Sequence, residues 1–333
     1  MADSIPSPSP SLPRHHDIIF TLPRTSSNLL TQMLNLPAQP SVHRHVSDGY
    51  IFLPTTAYRF GNGIVGTNVN TWTDEQRDGM REAFQSCYHA RVFIKEHVNW
   101  LVEPVRETRF LFGEQSVADE EQFIVTPTRS RRNETCFPDS ILADIAPTML
   151  IRNPILSLPS LLRTSIDLQG KEEELATSHE QWLWEASYHW SRTLYEFYTT
   201  SASALPAESL ATVDIPGITF PIVVDADDLS NRDLVRRYAK AVGLDEDKVR
   251  FEWEATTGQD LEGFSRMEKR MKDTILGSKG IVKGKTAEGL TIDTERVKWE
   301  KEFGDVLAAR LVRLVELVKG DYEWLWERRL KVE

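Results

Sequence analysis

The sequence predicts an α/β fold: a three-layer sandwich whose mainly parallel central sheet is flanked by helices. Two observations predict it. Short apolar β-type runs recur at residues 17–22, 91–94, 149–151 and 220–224, with helical patterns between them; strands alternating with helices build a mainly parallel sheet with helices on both faces. Three polar segments also fall at the ends of such runs, and ligands of these sheets gather at the carboxyl ends of the strands.

Each element has its own signal. Asp17 to Leu22 reads as the first strand, followed by a Ser/Thr-rich turn and a helix from about Ser27 to Leu36 that Pro37 stops. Thr73-Asp-Glu-Gln76 is a capping box for a helix running towards His89. Arg91 to Ile94 is the second strand, with Lys95, Glu96 and His97 at its C-terminal end; residues 101–144 read as loops and short helices around a pocket. Met149 to Ile151 lies in the third strand, and Pro154 opens a helix to about Arg163, a position where the missing N–H has no intrahelical partner. Glu180 to Thr199 reads as one long aromatic helix, Phe220 to Val224 as the fourth strand, and Asp233 to Val242 as a helix ended by Gly243. The remainder is helical over about 259–275 and 294–318, with a last turn through Trp324 and Trp326. One domain spans 17–333, and the Pro/Ser-rich stretch 1–16 reads as a disordered tail without the apolar core of a secretory signal.

Composition narrows the function. A net charge of −11 over 333 residues argues against a nucleic-acid partner, since the one compact basic run is Arg129-Ser-Arg-Arg132. No segment reads as a membrane span. Two cysteines, Cys87 and Cys136, are too few for a disulfide scaffold and fit a reducing cytoplasm; they form no metal-ligand cluster with the histidines, so no metal is expected. An anionic ligand would therefore need a locally positive site.

Two glycine-rich stretches are decoys. Gly61-Asn-Gly-Ile-Val-Gly66 matches G-x-G-x-x-G, but no helix opens at those glycines, and a bent loop explains it better. Gly280-Ile-Val-Lys-Gly-Lys-Thr286 is one residue short of a Walker A loop and follows a charged helix rather than a buried strand.

Three segments carry chemistry. In the first, Pro23 to Asn28 lies between strand and helix, where unpaired amides and the helix dipole favour an anion. Arg24 adds a planar cation, and Thr25, Ser26 and Ser27 add hydroxyls. A turn that merely caps its helix fits the same residues. In the second, strand alternation places Lys95 and His97 on one side, pairing an ammonium with an imidazole able to take a hydroxyl proton. In the third, Arg152-Asn-Pro154 is followed by Ser160, an arginine at a strand end and a hydroxyl one and a half turns into the next helix.

Taken together, the ordered set resembles the sulfotransferases that use 3′-phosphoadenosine-5′-phosphosulfate, whose fold is related to that of the P-loop NTPases. That family carries P-[KR]-[SA]-G-[ST]-[ST] at the 5′-phosphosulfate, K-T-H at the reacting centre, and R-[ND]-P-x₅-S at the 3′-phosphate. The resemblance implies donor binding by Arg24, Thr25, Ser26, Ser27, Asn28, Arg152 and Ser160, with His97 as general base and Lys95 near the bridging oxygen. A C-terminal R-K-G loop of the family is matched by Ser278-Lys279-Gly280, which implies 3′-phosphate contacts from Lys279 and Gly280, with Lys283 and Lys285 near enough in sequence to replace the lost arginine. The implied reaction is sulfonyl transfer to a hydroxyl of a small, largely apolar acceptor, such as a secondary metabolite. Departures are Ser26 for glycine, Glu96 for the middle threonine, Leu29 for a tryptophan, and Ala226 for a tyrosine in Asp225-Ala-Asp-Asp-Leu229. They leave a rival reading, in which the fold is kept for binding or for another step, such as dehydration or cyclisation. Trp184, Tyr188, Ser191, Tyr195 and Tyr198 share a helical face that reads as core packing, or alternatively as the wall of an acceptor pocket.

Overall fold

The computed structural model describes residues 16–39, 50–87, 94–117, 123, 129–143, 145–201, 218–257 and 259–331. The expected tail lies outside the described residues, apart from His16, which opens the first strand. In chain order the elements are β1 (His16–Thr21), α1 (Ser27–Leu34), α2 (Leu53–Gly61), α3 (Asp74–Cys87), β2 (Ile94–His97), α4 (Pro104–Phe112), α5 (Asp139–Ala143) and β3 (Ile145–Ile151). They continue with α6 (Pro154–Gln169), α7 (Lys171–Ala176), α8 (His179–Ala186), α9 (His189–Ser201), β4 (Ile222–Asp225), α10 (Arg232–Ala241), α11 (Gln259–Glu262), α12 (Arg266–Gly277), α13 (Ile292–Phe303) and α14 (Asp305–Glu327).

The four strands form one sheet in the order β2-β1-β3-β4, with every pairing parallel. All seven residues of β3 and all four of β4 are buried, the pattern of strands covered on both faces. Alternation splits their side chains between two cores. Ile18, Phe20, Met149, Ile151 and Val223 enter one, with α14 and the aromatic helices; Ile19, Leu150, Ile222 and Val224 enter the other, with α1 and α10. This is the expected three-layer α/β arrangement.

Local signals operate as read at several helix starts. Thr73 and Gln76 exchange the two bonds of a capping box, Asn153 caps α6 through Ile155 N–H, and Pro154 occupies its first turn. The glycines of the G-x-G-x-x-G stretch end and follow α2 instead of opening a helix: Gly61 is its last residue, with Gly63 and Gly66 beyond it at φ 64° and 63°. A Cβ on Gly66 would meet the Gln181 backbone at 2.6 Å, so close approach to α8 requires glycine there.

Helix breaks differ from the sequence reading. The expected aromatic helix is two, α8 and α9, separated at Ser187 and Tyr188; Ser187 Oγ accepts the His189 N–H, and Tyr188 is drawn onto the backbone of Arg152. The 259–275 segment is likewise two helices, because Ser265 and Glu268 form a second capping box. Gly304, at φ 87°, separates α13 from α14, which then runs unbroken past Trp324 and Trp326. The first helix stops at Leu34, where Asn35 takes a left-handed conformation, while α6 continues through Pro159 to Gln169.

Candidate active site

β2, β1 and β3 are neighbours in the sheet, so the three segments at their carboxyl ends meet in space. Arg24 and Ser26 both adopt left-handed backbone, at φ 65° and 68°, with Thr25 between them. This conformation costs an L-residue about 1–2 kcal/mol, and glycine escapes it. Ser26 thus stands where a glycine would be unstrained, which explains the family preference at that position. Its side chain makes no cap to α1, and no acidic residue lies in the first turn. The first-turn amides of a helix lack intrahelical partners, so this end is suited to an anion. Thr25 is buried; its hydroxyl donates to Leu22 O at 2.9 Å and contacts the Thr21 hydroxyl, so its side chain braces the turn from within.

β2 delivers Lys95 and His97 to this turn, as Ile19 and Thr21 of β1 are their register partners. Lys95 Nζ donates to Asn28 Oδ1 at 2.5 Å and lies 4.5 Å from the centre of the Tyr50 ring. The His97 ring packs against Tyr50 and Trp100 at 5.0 and 4.6 Å, and its Nδ1 is buried without a hydrogen-bond partner. Burial, reinforced by the Lys95 charge, pushes the imidazole down to about 3. It is therefore neutral near pH 7. Glu96 points elsewhere: it accepts the Phe52 N–H and the His97 N–H, each at 2.8 Å. Burial drives its carboxyl up to about 8, against the opposing pull of those donors and of Lys95.

The third segment closes on the first. Arg24 Nε donates to Ser160 Oγ at 3.1 Å, and Arg152 Nη1 donates to Arg24 O at 3.0 Å. Tyr188 Oη donates to Arg152 O at 2.5 Å and accepts its N–H at 3.1 Å, fixing the backbone where β3 ends. Burial lowers the affinity of Arg152 for its proton, while Asp227 acts in the opposite sense. The guanidinium remains charged nonetheless. Over the Arg24 side lies α12, whose Met271 O accepts from Nη1 at 3.0 Å and whose Asp273 stands 3.9 Å from Nη2.

Lys279 and Gly280 sit apart from these contacts. Lys279 Nζ is exposed and 3.6 Å from Glu254, and Lys279 O accepts the Trp253 N–H. Gly280 bridges Glu252, and a Cβ there would meet Phe251 O at 3.0 Å. Ser278 Oγ, in the position of the family arginine, is buried without a partner, and Lys285 Nζ donates to Thr274 Oγ1. Ala226 follows β4, and its neighbour Asp227 accepts the Ala287 N–H at 2.7 Å, tying that strand end to the C-terminal loop.

Tyr50 and Trp100 escaped the sequence reading of the site, and Tyr188 was read only as core packing or a pocket wall. Tyr188 was legible only as one aromatic among many, and Trp184 and Trp190 on the same two helices are core residues, at 0 and 1% exposure. Tyr50 and Trp100 had no motif to flag them. Among the described residues, no group of three or more His, Cys, Asp or Glu is placed to hold a metal ion, and no helix is long and apolar enough to cross a membrane.

An anion-directed turn, a buried ammonium and a neutral imidazole on adjacent strand ends are what transfer of an anionic group requires. Comparison with known proteins gives the class. The chain is 31% identical over 333 residues to sulfotransferase ppzF of Metarhizium rileyi (strain RCEF 4871), covering 95% of this chain and 96% of that protein. It is also 31% identical over 340 residues to sulfotransferase ppzF of Metarhizium majus (strain ARSEF 297), covering 96% and 97%. No family model and no solved structure matches significantly. At that identity over nearly the whole length, the chain belongs to the sulfotransferase family, as a divergent member with a sulfotransferase-like α/β fold.

Proposed function

We propose that this protein transfers a sulfonyl group from 3′-phosphoadenosine-5′-phosphosulfate to a hydroxyl of a small, largely apolar acceptor. The single observation that carries the reading is the joining of all three segments: Lys95 reaches Asn28 of the anion-directed turn, and Arg24 of that turn reaches Ser160. The residues present fit the donor. The uncapped amides of α1 and the side chains of Arg24, Ser26, Ser27 and Asn28 would hold one phosphate, and Arg152 with Ser160 would hold the other; Lys279 and Gly280 would add to that second site from the C-terminal loop.

The bound donor would supply an activated sulfonyl group on a good phosphate leaving group. His97 then takes the acceptor's hydroxyl proton as the oxygen attacks sulfur. Lys95, released from Asn28 or shared with it, stabilises the negative charge growing on the departing bridging oxygen. Desolvation by Tyr50 and Trp100 strengthens both effects by lowering the local dielectric. No step needs a metal. The low cysteine content supports a cytoplasmic setting.

Two measurements test the reading together: calorimetry with adenosine 3′,5′-bisphosphate, and incubation with radiolabelled donor across a panel of hydroxylated acceptors. Micromolar binding with label transfer is expected. Absence of both would overturn the proposal, and binding without any transfer would leave the nucleotide site but remove the reaction.

A further inference from the structure

Glu96 stands where the related pattern has a threonine, and it is 1% exposed. β2 is an outer strand of the sheet among the described residues. The Tyr50–Phe52 segment, just ahead of α2, meets β2 through the Phe52 N–H and the Tyr50 ring. Glu96 Oε2 accepts the Phe52 N–H at 2.8 Å, and Oε1 accepts the His97 N–H at 2.8 Å. A threonine hydroxyl is too short and has too few acceptor sites to gather donors from two segments in this way. Backbone donors buried beside a core need acceptors, because each unmade bond costs about 1–3 kcal/mol.

What this carboxylate holds in place is Tyr50. Its ring centre lies 5.0 Å from that of His97, 5.2 Å from that of Trp100 and 4.5 Å from Lys95 Nζ. One side chain therefore covers both groups assigned to the reaction. Its backbone is fixed two residues on, at Phe52, whose N–H is bonded to Glu96.

We propose that Glu96 is a positioning residue: it clamps the Tyr50–Phe52 segment to β2 so that the Tyr50 ring packs over the Lys95/His97 pair. The inference rests on the sulfonyl-transfer reading for its catalytic consequence, but the clamp itself is a separate structural claim. The phosphate-binding residues lie on other strand ends, so the clamp acts on turnover and acceptor placement, not on nucleotide affinity.

The test compares Glu96→Ala, Glu96→Gln, Tyr50→Ala and the double variant Glu96→Ala/Tyr50→Ala. Misplacement of this order costs about ten- to a hundred-fold in rate. Glu96→Ala should lose that much in kcat while bisphosphate affinity stays within about two-fold of wild type. Glu96→Gln should recover part of the loss, since its amide keeps one acceptor oxygen but turns an N–H₂ towards a donor. If Glu96 works through Tyr50, the double variant is no slower than the slower single variant. Additive losses, or an equal fall in nucleotide affinity, would overturn the proposal. A second readout is independent of activity. The His97 ring-proton resonance, assigned by its loss in His97→Asn, should be shifted by the Tyr50 ring in the wild type and move in Glu96→Gln and Tyr50→Ala alike. An unmoved resonance in folded Glu96→Gln overturns the clamp. A resonance that moves in a protein that transfers no sulfonyl group upholds the clamp and removes the transfer reading instead.

Discussion

Arg24 Nε donates to Ser160 Oγ at 3.1 Å, joining the turn after the first strand to a helix that begins more than a hundred residues later. The same turn receives Arg152 Nη1 on its backbone and holds Lys95 through Asn28. Positive side chains that would repel one another in isolation are thus spaced around one turn by hydroxyl, amide and carbonyl acceptors. That spacing is what the following expectations exploit.

His97→Ala should abolish transfer while leaving adenosine 3′,5′-bisphosphate binding close to wild type. Loss of a general base costs about 10²–10⁴ in rate. Turnover assays and calorimetry on the same preparation check this. Near-normal turnover would take His97 out of the mechanism, and lost nucleotide binding would make it structural.

Arg152→Ala should weaken the 3′,5′-bisphosphate by roughly one to two powers of ten, the worth of about 1.5–3 kcal/mol for a charged hydrogen bond. Adenosine 5′-phosphosulfate, which lacks the 3′-phosphate, should bind as before. Because Arg152 also supports Arg24 O, equal weakening towards both nucleotides would assign it to the turn and not to the phosphate.

Ser26→Gly should stabilise the protein. Glycine removes about 1–2 kcal/mol of left-handed strain at φ 68°, and its extra freedom in the unfolded chain returns about 0.4–1 kcal/mol of that. The expected net gain is about 1 kcal/mol or less, read as a rise in urea midpoint at constant slope. A lower midpoint would mean that the Ser26 side chain contributes contacts that outweigh the strain.

His97 also sets an acid-side slope in stability. Its pKa falls from the ordinary 6.5 to about 3 on folding. Between those values the unfolded chain binds more protons at this residue than the folded one, so its contribution to stability decreases as pH falls. Relative to wild type, His97→Asn should therefore gain about 1–2 kcal/mol on going from pH 7 to about pH 5. Urea titrations of both proteins at the two pH values measure it; a constant difference would show that the folded imidazole titrates normally.

A structural prediction concerns Arg59 and Glu107, fully buried with Nη1 at 2.8 and 2.7 Å from the two carboxylate oxygens. Removing one partner strands a charge, so Glu107→Leu alone should cost about 3–5 kcal/mol. Arg59→Met with Glu107→Leu should cost well under the sum of the two single changes. Chemical denaturation of the three variants gives the coupling, and additivity would show that the two side chains do not act as a pair.

The α/β class, three of the four strands and the three candidate segments were legible in the sequence because each rests on local rules; the second strand, read at 91–94, runs over Ile94–His97, and 91–93 lie outside the described residues. Apolar runs at residues 17–22 and 149–151, a capping box at Thr73 and a proline at position 154 carry their meaning within a few residues. The spacing of Arg152 and Ser160 marked a candidate phosphate site for the same reason. The tertiary structure decided what depends on distant partners. It set the strand order that brings Lys95 to Asn28, and the break at Ser187 and Tyr188, where a bond to the Arg152 backbone overrides an uninterrupted helical pattern. It gave Ser26 its left-handed backbone and directed Lys279 to Glu254. It also placed Tyr50 over His97 through Glu96. Local propensity acts over one or two helical turns, whereas burial, pKa and the docking of an edge strand arise only once the layers close.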